Sequence, residues 1–235
     1  MTKIEAIAVD TDGTITDSKR RICISALTAM RAAEKKGIPV IIVTGNVVNY
    51  AYATAVLSGC SGGLVAENGG VIFKENTNNN RITILGNKKY VNAAGKYIEN
   101  NLDPKYKLSK SSDNEYRLTE IVYYKTLPKN LLIDSLIGFK DLDKIEIYDS
   151  GFALHITDKS INKGSSLKVL CERNNIDINN VMAIGDSQND EDFLKVSGLK
   201  IAVGQAEEEL KEISDYICKN PYGDGVKEAI DKFVL

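Results

Sequence analysis

The sequence predicts an α/β fold, a parallel-sheet core carrying a smaller inserted α/β layer, and two observations carry that prediction. Short, nearly uncharged apolar runs alternate with segments of helical period, and the runs end in Asp, Thr, Gly or Asn, as strands buried on both faces of a parallel sheet do. Between about residues 83 and 156 the period changes, and after Thr157 the buried-strand pattern returns. The chain therefore divides into a core of residues 1–82 and 157–235 and an insertion of residues 83–156. Its 235 residues are enough for a core of this kind with a small second domain.

Residues 4–9 carry one charge, Glu5, and read as the first buried strand. It runs into Val9-Asp10-Thr11-Asp12-Gly13-Thr14. Residues i and i+2 of an extended chain point the same way, so the carboxylates of Asp10 and Asp12 can face one site, with Gly13 letting the backbone turn away. A plain turn is the bland alternative, since Asp and Gly are common turn formers. A calcium loop counted from Asp10 fails, because its sixth and twelfth positions hold Ile15 and Arg21.

Residues 25–36 have apolar positions at Leu27, Met30 and Ala33 and end before Gly37, a helix. Residues 39–43 form a second buried strand that ends in Thr44-Gly45-Asn46. Ligands in open α/β sheets bind beyond the carboxyl ends of strands, so this segment and the Asp-rich turn can share a crevice. A helix cap on residues 47–57 explains the same residues. Leu64-Val65-Ala66 is a third strand, and Glu67-Asn68-Gly69-Gly70 leads into a hairpin strand at residues 71–73. Residues 76–80 read as an exposed tip.

In the insertion, residues 88–101 and 128–139 read as helices and 115–125, 144–148 and 152–156 as strands. Helices beside a small sheet of this kind fit a domain of their own better than a continuation of the core. A helix then opens at Lys163 and runs to about Asn174, and residues 181–184 and 200–203 are strands with a helix after each. The first of these two strands ends in Gly185-Asp186-Ser187-Gln188-Asn189-Asp190.

Lys163 breaks a local rule, because a cation in the first turn opposes the positive end of the helix dipole. A nearby anion or plain solvent exposure resolves the conflict. Asp186 and Asp190 can be read as helix-start acids, a reading that explains Asp190 better than Asp186. Beside the Asp10 pair, however, Asp186 would be repelled unless a cation lay between them, and hard oxygen donors suit Mg²⁺.

Composition narrows the field. Thirty Lys and Arg against 32 Asp and Glu, a net charge of −2, argue against a nucleic-acid binder. Cys23, Cys60, Cys171 and Cys218 form no Cys-x-x-Cys pair, which argues against structural zinc and a disulfide framework and suits buried, reduced thiols. There is no long apolar stretch, and the first run is too short for a secretory signal, so a cytoplasmic protein without membrane contact is expected. One histidine, His155, removes Ser-His and Cys-His hydrolases and multi-histidine metal sites. It reads as a structural residue near the boundary of the insertion, and Tyr123-Tyr124 as sheet packing.

Asp10-x-Asp12-Gly-Thr, Thr44 after the second strand, Lys163 at a helix start and Gly185-Asp186-x-x-Asn189-Asp190 occur in the order of the four motifs of the haloacid dehalogenase-like phosphatases, which the chain resembles over its whole core. The resemblance implies a Rossmann-like core with a C2-type cap between the second and third motifs. With a cap this short, Thr44-Gly45-Asn46 and Glu67-Asn68-Gly69-Gly70 look like the archaeal phosphoglycolate phosphatases, while Asn46 departs from the arginine more often found there in relatives acting on sugar phosphates.

Carried over, the resemblance implies that Asp10 is the nucleophile and Asp12 the general acid, then base. Thr44, Gly45, Asn46 and Lys163 bind the phosphoryl group. Mg²⁺ is held by Asp10, the main chain of Asp12 and Asp186, with Asp190 bound directly or one layer out. A small phosphomonoester, 2-phosphoglycolate first, is the implied substrate of a monomer or homodimer. A sugar-phosphate phosphatase or phosphomutase is the nearer alternative. A receiver-type phospho-Asp signalling domain is the remote one, disfavoured because its acceptor Asp follows a middle strand. Lys125, Arg117 and His155 are the expected candidates for the substrate carboxylate.

Overall fold

The computed structural model describes residues 3–74, 82–151 and 153–235. The expected tip at residues 76–80 and residue 152 lie outside the described residues. In chain order the elements are β1 (Ala6–Asp10), α1 (Ile24–Lys35), β2 (Val40–Val43), α2 (Val48–Ser58), β3 (Leu64–Ala66), β4 (Val71–Phe73), β5 (Thr83–Ile84), α3 (Lys88–Asn101), β6 (Ile121–Tyr124) and α4 (Lys129–Asp134). They continue with β7 (Ile145–Asp149), β8 (Ala153–Asp158), α5 (Lys163–Arg173), β9 (Val181–Gly185), α6 (Glu191–Val196), β10 (Leu199–Ala202), α7 (Glu208–Glu212), β11 (Tyr216–Ile217) and α8 (Tyr222–Phe233).

Eight strands form one sheet in the order β11-β10-β9-β1-β2-β3-β4-β5. From β11 to β3 the pairing is parallel, and β4 and β5 add antiparallel at one edge. β1, β2 and β9 have no exposed residue, which is why they read as unbroken apolar runs. The chain winds from β1 to β2 on one side and later returns through β9 on the other. The carboxyl end of β1 is thus the switch point of the sheet, where a crevice opens.

A second sheet, β6-β8-β7, is antiparallel and buries Tyr123, Leu154 and Ile156 with α3 and α4 in a core of its own. β5 belongs by pairing to the large sheet, and β8 runs to Asp158 in the small one. Alternation along β6 buries Tyr123, whose hydroxyl donates to Glu99 (2.9 Å), and leaves its neighbour Tyr124 partly exposed on the opposite face.

Two expected elements are shorter than their pattern suggests. The strand expected over residues 115–125 survives only as β6, because the backbone N–H groups of Leu118 and Thr119 donate to the buried carboxylate of Glu67 instead of to a ladder. The helix expected over residues 128–139 ends at Asp134. There the chain tightens into i→i−3 bonds from Leu136, Ile137 and Phe139 and turns at Gly138, at φ +88°. Among the described residues no helix is long and apolar enough to cross a membrane.

Candidate active site

β1 delivers Asp10, 5 % exposed, to the switch point. The following turn reverses at Gly13 (φ +86°), where a Cβ would overlap the Asp186 carboxylate, so only glycine lets the two segments meet. Thr14 Oγ1 donates to Asp186 Oδ1 (3.0 Å) across that junction.

α5 brings Lys163 from the other direction. Its start is fixed by a capping box between Asn162 and Ser165, and Gly69, at φ +103°, lets the preceding turn lie against the Asn162 carbonyl. Lys163 is 1 % exposed and its Nζ lies 3.0 Å from Asp10 Oδ1 and 2.6 Å from Asp190 Oδ1. The cation that opposes the dipole of its own helix is therefore held by two buried carboxylates. Burial alone would lower its pKa, and Asp10 and Asp190 reverse this and raise it. Asp190, fully buried, also accepts the backbone N–H groups of Asp186 (3.0 Å) and Ser187 (3.3 Å) through Oδ2.

Asp10, Asp186 and Asp190 can place one oxygen each within 4.8 Å of one another. Burial, then Asp190, pushes Asp10 well above the ordinary carboxylate range against the pull of Lys163. The same two causes push Asp186 up to about 7. One ammonium thus serves three carboxylates, two of which resist ionising. The donors are all hard oxygen, so the cluster suits a divalent metal ion of the Mg²⁺, Mn²⁺ or Ca²⁺ kind, whose charge would offset the repulsion.

The second and third strands contribute the wall. Thr44 N–H donates to the Val65 carbonyl, Asn68 N–H to that of Thr44 (3.3 Å), and Glu67 N–H to that of Asn46 (3.0 Å), so the two polar turns after β2 and β3 are knitted together. Thr44 is 1 % exposed and its hydroxyl oxygen accepts from Asn46 Nδ2 (3.0 Å). The same Asn46 amide donates to Asp12 Oδ2 (2.6 Å). Arg20 grips Asp12 on both oxygens, Nε donating to Oδ1 at 2.8 Å and Nη2 to Oδ2 at 3.3 Å.

Above these groups lies a cavity of about 270 Å³. Asp10, Asp12, Thr44 and Asn46 line it from the large sheet, and Arg117, Tyr124 and His155 from the inserted layer. Of the expected site residues, Asp10, Asp12, Thr44, Gly45 and Asn46 line it directly. Asp186, Asp190 and Lys163 lie behind Asp10, and Gly45 lines the wall beside Asn68, which a Cβ on Gly45 would meet at 2.8 Å. Of the three candidates for the substrate carboxylate, Arg117 and His155 reach the cavity, whereas Lys125 is not among the lining residues and pairs with Asp149 (2.8 Å).

Three features around the cavity were not visible in the sequence. Arg20 is one: its backbone is left-handed, at φ +60°, in the turn after Thr16, and its guanidinium lies against Asp12. The second is Glu67, which has no exposed surface and accepts from Leu118, Thr119 and the Thr119 hydroxyl (2.8 Å). The third is a buried cluster in which His155 Nδ1 lies 3.2 Å from Glu120 Oε2 and Asn68 Nδ2. Burial, with Arg117 beside it, pushes His155 down to about 3, so the ring is neutral and its contact with Glu120 is a hydrogen bond, not an ion pair.

The family is now defined by both fold and site. The model of the haloacid dehalogenase-like hydrolases matches residues 7–102 and 79–230, and the chain belongs to that family. It is 65 % identical over 232 residues to the phosphoglycolate phosphatase of Methanobrevibacter smithii, covering 99 % of both chains. To the phosphoglycolate phosphatase of Methanothermobacter thermautotrophicus it is 43 % identical, covering 98 % of this chain and 99 % of the relative. A solved structure from Thermoplasma acidophilum superposes with a TM-score of 0.85 at 25 % identity over 98 % of each chain. A haloacid dehalogenase-like hydrolase of Bacteroides thetaiotaomicron shares the fold, with a TM-score of 0.78 at 24 % identity over 98 % of this chain and 99 % of that one. The receiver-domain alternative is thereby set aside.

Proposed function

We propose that the protein is a Mg²⁺-dependent phosphoric monoester hydrolase that converts 2-phosphoglycolate to glycolate and phosphate, acting in the cytoplasm on a small metabolite. One observation carries the reading: Asp10 and Asp12 lie together at the floor of a single small cavity roofed by the inserted layer. At about 270 Å³ it is smaller than the roughly 300–1,000 Å³ of sites for drug-sized ligands, which favours a compact substrate. The names of the relatives at 65 % and 43 % identity point to the same substrate.

Asp10 is the nucleophile. Its carboxylate attacks phosphorus as the ester P–O bond breaks, and Lys163 Nζ, 3.0 Å from Oδ1, holds the carboxylate in place and offsets its charge. Asp12 gives a proton to the departing glycolate oxygen. It then takes one from the water that attacks phosphorus, the Asp10–phosphorus bond breaks and inorganic phosphate leaves. Arg20 and Asn46 hold Asp12 in one orientation for both steps. The Thr44 hydroxyl, already accepting from Asn46, has its own hydrogen to donate to a phosphoryl oxygen, beside the backbone of Gly45 and Asn46.

Asp10, Asp186 and the main chain of Asp12 are the proposed holders of Mg²⁺, with Asp190 directly or one layer out through its bond to Lys163. When bound, the ion offsets negative charge on the phosphoryl oxygens. We assign residues 83–156 to a cap that sets substrate choice, with the pairing of β5 and β8 shifting its edges by about two residues.

The test compares kcat/KM, with Mg²⁺, for 2-phosphoglycolate, several hexose phosphates and an aryl phosphate. The expected result is that 2-phosphoglycolate leads. A hexose phosphate ahead by tenfold or more refutes the substrate while leaving the hydrolase reading intact.

A further inference from the structure

The sheet holds its strand ends at fixed spacing, but the polar turns beyond those ends lie outside the ladder and need ties of their own. The need is greatest at the proposed cation site, because Asp10, Asp186 and Asp190 come together around one buried ammonium, Lys163, and repel one another. The turn after β1 nevertheless touches the turn after β9, since a Cβ on Gly13 would lie 2.3 Å from Asp186 Oδ2.

The segment after β10 supplies the tie. β10 stands two places from β1 with β9 between them, a span of about 9–10 Å. The Val203 N–H donates to the Gly185 carbonyl (3.2 Å), so the segment runs beside the end of β9. Gln205 then reaches past it, and its Nε2 donates to the Gly13 carbonyl (2.7 Å). Two residues on, Glu207 takes hold of the other turn. Its N–H donates to the Asp186 carbonyl (2.8 Å) and its carboxylate accepts from the Gln188 N–H (2.6 Å).

The other end of the Gln205 amide is anchored. Its Oε1 accepts the backbone N–H of Tyr222 (2.7 Å), the first residue of α8. Tyr222 is held at φ +52°, and the next residue, Gly223, lies so close to the start of α1 that a Cβ there would meet Cys23 Cβ at 2.2 Å. A carbonyl can only accept and an N–H can only donate, so the two partners fix which end of the amide faces which. Glutamate has no donor for Gly13, methionine has neither group, and asparagine is one methylene shorter.

We propose that Gln205 is a positioning residue of the cation site, tying the turn that carries Asp12 and Gly13 to the fixed start of α8 so that the turn keeps its place against Asp186. The Asp12 main chain, a proposed holder of Mg²⁺, is one peptide unit from that tie. The inference rests on the cation reading above. Gln205 is not among the residues that line the cavity, so it acts on the cation holders and not on the substrate's leaving group.

The test uses the whole chain and reads Mg²⁺ binding directly. Gln205→Met keeps the length and neutrality of the side chain and loses both bonds, whereas Gln205→Asn keeps the amide and loses the reach. In both, the Kd for Mg²⁺, by calorimetry at pH 8 without substrate, is expected to weaken by about 10- to 100-fold, as on loss of a group that orients metal ligands. At saturating Mg²⁺, kcat for 2-phosphoglycolate should fall about tenfold or more while KM stays within about threefold. In the wild type, Mg²⁺ should slow hydrogen exchange at the Tyr222 amide, a measurement that needs no variant to fold. A Mg²⁺ Kd within about threefold of wild type in either folded variant, even with a lowered Tm, overturns the positioning role and leaves the cation reading standing. So does a Tyr222 amide indifferent to bound Mg²⁺. A wild-type protein that binds no Mg²⁺ overturns both.

Discussion

The three-carboxylate cluster predicts how a divalent cation should stabilise this protein, and how that stabilisation should vanish with acid. Asp186 titrates at about 7 instead of near 4, through burial and then Asp190. A carboxyl raised in the folded state destabilises the fold above its ordinary pKa, increasingly so up to pH about 7, and a cation that needs it ionised must displace its proton below that pH. At pH 8 the Asp186 proton is almost wholly lost, and at pH 5 that proton alone weakens the apparent Kd by about 100-fold, with Asp10, also raised, adding to it. With cation at 100 times its pH 8 Kd, the stabilisation is about 2.7 kcal/mol at pH 8 and no more than about 0.4 kcal/mol at pH 5. At roughly 2–4 °C per kcal/mol for a chain of this size, the added Mg²⁺ should raise Tm by about 5–11 °C at pH 8 and by about 1–2 °C at pH 5.

The measurement is thermal unfolding with and without Mg²⁺ across this range. The difference is the diagnostic quantity, because His155 opposes the trend in the absolute curve. Its folded pKa of about 3 means that the unfolded chain protonates first, so stability is lost as pH falls below about 6.5. His155 lies outside the cluster and cancels between the two curves. Asp186→Asn should abolish the cation-dependent shift. A shift that is independent of pH, or that survives in Asp186→Asn, refutes the cluster as the cation site.

Asp10→Asn should keep the fold and substrate binding and lose turnover entirely, and measurable steady-state hydrolysis would exclude a covalent intermediate on Asp10. Asp186→Ala should mainly raise the Mg²⁺ concentration needed for half-maximal rate, whereas Asp190→Ala should also cost about 3–5 kcal/mol by urea denaturation, since it strips Lys163 of a buried partner. Equal stability of the two variants would contradict that division. Glu67→Ala should leave the N–H groups of Leu118 and Thr119 without their acceptor and cost on the order of 2–5 kcal/mol, with faster hydrogen exchange at those two amides than elsewhere in the insertion. Unchanged exchange there would show that Glu67 does not hold the segment.

Sequence reasoning reached the floor of this site because its signals are local. A buried parallel strand must be apolar along its whole length, so the first polar residues after residues 4–9, 39–43 and 181–184 mark the face where ligands bind. Lys163 stood out through a conflict with its own helix dipole, and the structure supplies the anions that resolve it. What escaped depends on groups far apart in sequence. Glu67 looked like a turn residue because nothing near it shows that Leu118 and Thr119, 51 and 52 positions on, aim their N–H groups at it. The strand pattern over residues 115–125 was misleading for the same reason, since the acceptor for two of its amides is a side chain from another element. Arg20 sat in a polar run, Asp17 to Arg21, whose turn conformation composition alone does not specify.

Glu67 and Asn68, two of the residues that escaped, share one place in the fold, where the proposed site meets the inserted layer. The turns after β2 and β3 are bonded to each other through Thr44, Asn46, Glu67 and Asn68. One side of this knot points down, where Asn46 steadies Asp12 and Thr44 borders Asp10. The other side points up, where Glu67 fixes the Leu118–Thr119 backbone, Asn68 donates to Glu120 (3.0 Å), and the Gly45 carbonyl accepts from Arg117. The inserted layer is therefore seated on the same few residues that position the proposed acid. A change in the seating of Arg117 or Glu120 must act on Gly45 and Asn68, and through their shared backbone bonds on Thr44 and Asn46. Substitutions in residues 117–120 should consequently alter kcat as well as KM, although none of these side chains reaches Asp10.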